Sequence, residues 1–144
     1  MEFRDLKAQY RALQEEIDQA LLAAVRDGAY IMGPQVQQLE RELAAYVGVK
    51  HCIGCANGTD ALTMVLMGWK IGPGDAVFVP DFTFFATGEV VSFEGAQPVF
   101  VDVDPDTFNL DAEKLEREIL RVRAEGTLTP RAMCGGPLWA AGGL

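Results

Sequence analysis

Ala56-Asn57-Gly58-Thr59-Asp60-Ala61-Leu62 and, one strand further on, Pro80-Asp81-Phe82-Thr83-Phe84-Phe85-Ala86-Thr87 decide the fold of this chain. Each follows a short apolar run, Cys52 to Ala56 and Ala76 to Pro80, and each leads into a helical stretch. In the first, the glycine turn Asn57-Gly58-Thr59 opens a helix whose unpaired N–H groups and positive dipole end make a ready site for a phosphate. In the second, Phe84 or Phe85 stands just past a strand as a candidate aromatic plate. In a parallel α/β sheet both turns fall at the carboxyl ends of their strands, where ligands of open sheets bind. One flat phosphorylated ligand could touch both.

Outward from these stretches the pattern repeats. A third apolar run, Pro98 to Val103, follows helical stretches near Thr59 to Lys70 and Phe82 to Phe93, and Gly72-Pro73-Gly74-Asp75 is a turn feeding the second strand. The expected fold class is α/β, a βαβαβ parallel sheet with right-handed crossovers, preceded by two helices. The first of those helices is marked by Leu6, Tyr10, Leu13, Ile17, Leu21 and Val25, which recur every three or four positions from Asp5 to Asp27 before Gly28. Gly33-Pro34 starts the second, with Val36, Leu39, Leu43 and Val47 on one face and Gly48 as its cap. Asp111 to Arg123 reads as a further helix, acidic at its start and basic at its end as the macrodipole favours.

A chain of 144 residues suffices for one modest domain or a piece of one. The formal charge of −9, with 12 basic residues and none clustered, argues against nucleic acid as a partner. Neither a signal peptide nor a membrane span is legible, and three cysteines suit a reducing compartment, so a cytoplasmic location is expected. His51, Cys52 and Cys55 invite a metal or redox reading. Residues 52 and 55 of an extended strand point to opposite faces, however, and one histidine with three cysteines is a poor zinc set, so no metal is expected. No Ser, His and Asp arrangement suggests hydrolysis.

The candidate sites have plain alternatives. Asn57-Gly58-Thr59 could be an ordinary strand-to-helix turn, since a short glycine turn is far less specific than a full phosphate loop. Taken alone, Phe84 reads as core packing. A Rossmann-type nucleotide enzyme ranks last, because no G-x-G-x-x-G follows the first strand. A small non-catalytic phosphate-ligand or interaction module is the alternative of a different class.

Four segments, in order and at consistent spacing, carry a resemblance: Tyr30-Ile31-Met32-Gly33-Pro34, Gly54 to Leu62, Pro80 to Thr87, and Gly95-Ala96-Gln97-Pro98-Val99-Phe100-Val101-Asp102-Val103-Asp104-Pro105. From Phe3 to about Arg131 the chain resembles the N-terminal part of the DegT/DnrJ/EryC1/StrS family of pyridoxal-phosphate-dependent sugar aminotransferases. The resemblance implies the large domain of an aspartate-aminotransferase-like, fold type I transferase. It implies that the N–H groups of Gly58 and Thr59, with the Thr59 hydroxyl, hold the phosphate of pyridoxal 5'-phosphate. It makes Phe84 the ring stacked on the pyridine, leaving Phe85 to the core and Tyr30 to Pro34 to the sugar side. Asp60 should then point away from the phosphate.

The implied reaction moves an amino group from an amino acid such as glutamate to a keto sugar attached to a nucleotide, in amino-sugar, polysaccharide or antibiotic-sugar biosynthesis. The implied assembly is a homodimer when full length. A pyridoxal enzyme also needs a lysine for its Schiff base. Lys7, Lys50, Lys70 and Lys114 do not fit by position, and in the family that lysine lies well downstream, as does the acid that pairs with the pyridinium. No catalytic residue is therefore assigned, and the chain alone is expected to be inactive. The expected organisation is 1–132 as the N-terminal part of the large domain and 133–144 as an out-of-frame or truncated tail. Four glycines and a proline stand there where a buried strand is due. Codons compatible with Gly135 to Leu144, read one base later, give Val-Asp-Leu-Phe-Gly-Gln-Pro-Ala-Asp, the expected continuation.

Overall fold

In the computed structural model, which describes residues 5–134, the chain divides into two units, one ending at Gly54 and the other beginning at Cys55. The first unit holds helices α1 (Leu6–Asp27) and α2 (Pro34–Val47). Both are fixed at their ends by local chemistry. The Asp5 carboxylate accepts from the Ala8 N–H at 2.8 Å, and Gly28 and Gly48 close the two helices in the left-handed conformation. Between the helices a Cβ at Gly33 would lie 2.1 Å from the Ala29 carbonyl oxygen, so only glycine lets the chain turn into Pro34 this tightly. The apolar stripe of α1 is present, yet none of its residues is buried, and in α2 only Ala44 is.

The second unit runs α3 (Gly58–Gly68), β1 (Asp75–Pro80), α4 (Ala86–Phe93), β2 (Gln97–Val101), α5 (Ala112–Glu125) and β3 (Thr129–Met133). The three strands form a parallel sheet in the order β2-β1-β3. Central β1 is buried from Ala76 to Pro80, as a near-continuous apolar run in a parallel sheet should be. Its alternation feeds two cores. Val77 and Val79 pack with Leu66 of α3 and with Val90 and Val91 of α4, while Ala76 and Phe78 pack with Val99 and Val101 of β2 and Val122 of α5. Side chains of this size contribute about 1.5–3 kcal/mol each when fully buried.

The parallel βαβαβ sheet is there, but it is built from the second and third of the expected strands and a further one later in the sequence. Cys52 to Ala56 is not a strand; Ile53 in it is 75% exposed, and the division between the units falls inside it. An apolar run becomes a strand only where a neighbour takes up its backbone groups, and no described strand lies beside this one. The third strand is instead Thr129–Met133, paired to β1, with the Cys134 N–H extending the pairing to the Phe78 carbonyl at 2.8 Å. The register is irregular between Ala76 and Val77, where the partner is Pro130, which has no N–H to give. The proposed frame slip falls mainly on residues 135–144, outside the described residues.

Candidate cofactor site

Asn57 caps α3: its Oδ1 accepts the Asp60 N–H at 2.9 Å, and its carbonyl takes the Ala61 N–H at 3.2 Å. The third and fourth N–H groups of the helix are thereby used. Those of Gly58 and Thr59 have no acceptor among the described residues, so two donors at the positive end of the dipole point out of the fold together. The Asp60 carboxylate is turned toward Asn57, whose Nδ2 donates to it at 3.2 Å. The Cys55 thiol donates to the Asn57 carbonyl at 3.3 Å, which gives that cysteine a local role in the turn.

The second part of the site comes from the loop between β1 and α4. Here the chain leaves the buried strand and exposes three aromatic rings, Phe82, Phe84 and Phe85. Phe84 is 78% exposed and lines a concavity of about 720 Å³ together with Asn57, Gly58, Thr59, Leu62, Val65 and Thr87. The structure thus brings Gly58, Thr59 and Phe84 onto one pocket. Its far wall is apolar, and buried Thr87 is engaged by the Thr83 hydroxyl at 3.0 Å. Phe85 is not core as expected: it is as exposed as Phe84, at the N-cap position just before α4. A second concavity of about 420 Å³ lies against Phe84, Phe85 and Phe100.

None of the four lysines lines the 720 Å³ pocket. Lys114 is held elsewhere, donating to the Asp102 carboxylate and to the Val103 carbonyl. That hydrogen bond is the main reason Asp102 is shifted below, and Lys114 above, the ordinary values of their kinds. Among the described residues no group of three or more His, Cys, Asp or Glu could hold a metal. No described helix is long and apolar enough to cross a membrane. The Cys134 thiol, buried beside β1, is pushed up by desolvation. Tyr30, in the first unit, is exposed, and its hydroxyl donates to the Val25 carbonyl at 3.1 Å.

Two free amides, a hydroxyl residue beside them, an apolar wall and an exposed ring suit a flat aromatic phosphate, and a Cβ on Gly58 would meet no protein atom within 4 Å. A parallel α/β unit with this pocket at its strand ends is the N-terminal portion of the large domain of a fold type I pyridoxal-phosphate-dependent transferase. More narrowly, residues 11–127 match the DegT/DnrJ/EryC1/StrS aminotransferase family, and the chain belongs to it.

The chain is 51% identical over 119 residues to the UDP-2-acetamido-2-deoxy-3-oxo-D-glucuronate aminotransferase of Pseudomonas aeruginosa, a match covering 83% of this chain and 33% of that protein. It is 41% identical over 136 residues to the dTDP-3-amino-3,4,6-trideoxy-alpha-D-glucose transaminase of Streptomyces venezuelae, covering 94% of this chain and 35% of the relative. Among solved structures, a DegT DnrJ EryC1 StrS aminotransferase from Brucella abortus superposes with a TM-score of 0.89 at 53% identity, over 92% of this chain and 36% of that one. The chain spans about a third of the length of the curated relatives it matches. The family is pyridoxal-phosphate-dependent, and solved neighbours include PLP and PMP forms.

Proposed function

We propose that this chain forms the phosphate cradle and stacking plate of a pyridoxal-phosphate-dependent sugar aminotransferase. The observation that carries the reading is the meeting of the Gly58 and Thr59 amides with the Phe84 ring on one pocket. In it, the two N–H groups and the Thr59 hydroxyl donate to phosphate oxygens, and the positive end of α3 favours the charge. Phe84 orients the cofactor ring by stacking, and Leu62, Val65 and Ala86 keep water from its edge. Bound there, pyridoxal phosphate supplies an electron-accepting ring that acidifies the α-carbon of an amino acid. The pocket lining holds no lysine, so these residues bind and orient but move no proton, and the 144-residue chain alone is inactive.

The complete enzyme takes its amino group from an amino acid, glutamate by preference, and passes it to a keto sugar nucleotide in amino-sugar, polysaccharide or antibiotic-sugar biosynthesis. It works in the cytoplasm as a homodimer, without nucleic-acid or membrane partners. The bounds 1–132 for the N-terminal part of the large domain and 133–144 for an out-of-frame or truncated tail belong to the same proposal, and resequencing the gene tests them. A shifted frame without an aminotransferase continuation refutes the slip.

Titration with pyridoxal 5'-phosphate and, separately, NAD tests the cofactor reading. Nuclear magnetic resonance shifts at Gly58, Thr59 and Phe84 with the first and none with the second are expected. Equal response to both, or shifts confined elsewhere, overturns it. For activity, the chain is joined to a relative's C-terminal part and assayed with glutamate and a keto nucleotide sugar. Cofactor loading without amino transfer would favour the non-catalytic phosphate-ligand module, the alternative that the lysine-free lining also fits.

A further inference from the structure

Phe84 is exposed on a loop, and a ring that must meet a cofactor squarely needs its loop held. The residues on either side of it are tied. The Asp81 N–H donates to the Val101 carbonyl of β2 at 3.0 Å, and the Thr83 and Thr87 hydroxyls share a hydrogen bond. Between them, Phe82 lays its ring against that of Phe108, with centroids 5.3 Å apart and planes tilted by 42°. It is the one aromatic pair among the described residues, and it crosses from the loop after β1 to the loop after β2.

Phe108 is not placed there by chance collapse. It adopts φ +57°, a left-handed conformation that costs a bulky residue energy and persists only where surroundings impose it. The surroundings are a knot tied by Asp104. One carboxylate oxygen accepts the N–H groups of Asp106 at 3.1 Å and Thr107 at 2.8 Å, and the Thr107 hydroxyl at 2.9 Å. The Asp104 carbonyl accepts the Phe108 N–H at 2.9 Å, and its N–H donates to the Asn109 carbonyl at 2.8 Å. An isolated antiparallel bridge, Val103 to Leu110, closes the base of the turn, and Leu110 packs on the core around Phe78. The turn is rigid and anchored, yet it presents an exposed phenyl ring to another exposed loop.

We propose that Phe108 is a positioning residue: the Asp104 knot holds its ring as a buttress for Phe82, and thereby fixes the loop that presents Phe84 to the cofactor. This rests on the cofactor reading above and adds to it a residue outside the pocket. Phe108 touches neither the pocket nor the cradle.

Hydrogen exchange read by mass spectrometry on the 144-residue chain, with pyridoxal 5'-phosphate affinity measured on the same samples, tests it. Phe108→Ala is expected to speed exchange at residues 81–85 about two- to tenfold, the range an aromatic pair supports, while residues 76–80 of β1 stay protected. Phe108→Tyr restores the slow rate, and Asp104→Ala reproduces the loosening with the phenyl ring still present. Cofactor affinity falls in Phe108→Ala in step with the exchange. Unchanged exchange at 81–85 overturns the proposal, as does a rise spread equally through β1, or a loosened loop with undiminished affinity while Phe84→Ala weakens binding. If Gly58→Val and Phe84→Ala both bind like the parent, the cofactor reading fails, and with it the positioning role.

Discussion

Giving Gly58 a side chain separates what the fold requires from what a ligand requires. Gly58 is not among the glycines with positive φ, and a Cβ built on it meets nothing within 4 Å. Neither the backbone angle nor the packing therefore calls for glycine. Replacing glycine by alanine at a helical position stabilises by up to about 1 kcal/mol. The added methyl group instead enters open space at a residue that lines the pocket, where it should compete with the phosphate proposed to sit there. Losing one hydrogen bond to a charged group costs about 1.5–3 kcal/mol, which is about a 10- to 150-fold rise in Kd. Gly58→Ala should therefore melt no lower than the parent yet bind pyridoxal 5'-phosphate more weakly, and Gly58→Val should bind more weakly still. Circular-dichroism melts and fluorescence titrations, with inorganic phosphate as competitor, measure the two quantities separately. Parent-like affinity in both variants would refute the placement of the phosphate; affinity and melting temperature falling together would show that the glycine serves the fold.

Phe84→Ala should weaken cofactor binding by about 1–3 kcal/mol if stacking on the pyridine resembles stacking on a nucleobase, with little change in melting since the ring is exposed; titration checks it. Borohydride reduction of the chain with pyridoxal phosphate, followed by peptide mapping, should label no lysine stoichiometrically, because none lines the pocket; one fully labelled lysine would show otherwise. Phe78→Ala should destabilise the second unit by about 3–5 kcal/mol, the usual cost of emptying a buried phenyl site, read from denaturant unfolding. The Asp102 carboxyl lies below its ordinary value through the hydrogen bond from Lys114, so its contribution is present above its unfolded pKa and disappears as pH falls through the folded one. Lys114 lies above its ordinary value, so its share is present below the unfolded lysine pKa and is lost as pH rises through the folded one. Lys114→Met should flatten both limbs of a melting-temperature profile against pH.

What could be read from the sequence was what is decided locally. Helix ends were legible because a cap is made by neighbours: Gly28, Gly33-Pro34 and Gly48 all act within one turn. The two free amides were legible for the same reason, since they follow from where α3 starts. Strands were legible where an apolar run marks them, as in central β1 and also in Pro98 to Val103, which holds most of the edge strand β2. Ala76 to Pro80 is apolar at nearly every position because both of its faces are covered, whereas Thr129–Met133 carries a proline and an arginine and is a strand because β1 offers it an edge. Cys52 to Ala56 shows the converse, an apolar run with no described partner. Phe85 was misassigned because a loop residue's direction depends on the turn that carries it, and the Phe82 contact with Phe108 had no sequence signal, being made between two loops. The two halves of the site consequently rest on different supports. The amides ride on α3, of which only Leu66 is buried, while Phe84 leaves the end of β1, the most completely buried strand of the sheet. A disturbance of the sheet core, such as Phe78→Ala, should therefore move the plate before it moves the cradle. In that variant, affinity for pyridoxal phosphate should fall further than affinity for inorganic phosphate, and an equal fall in both would show that cradle and plate are held as one piece.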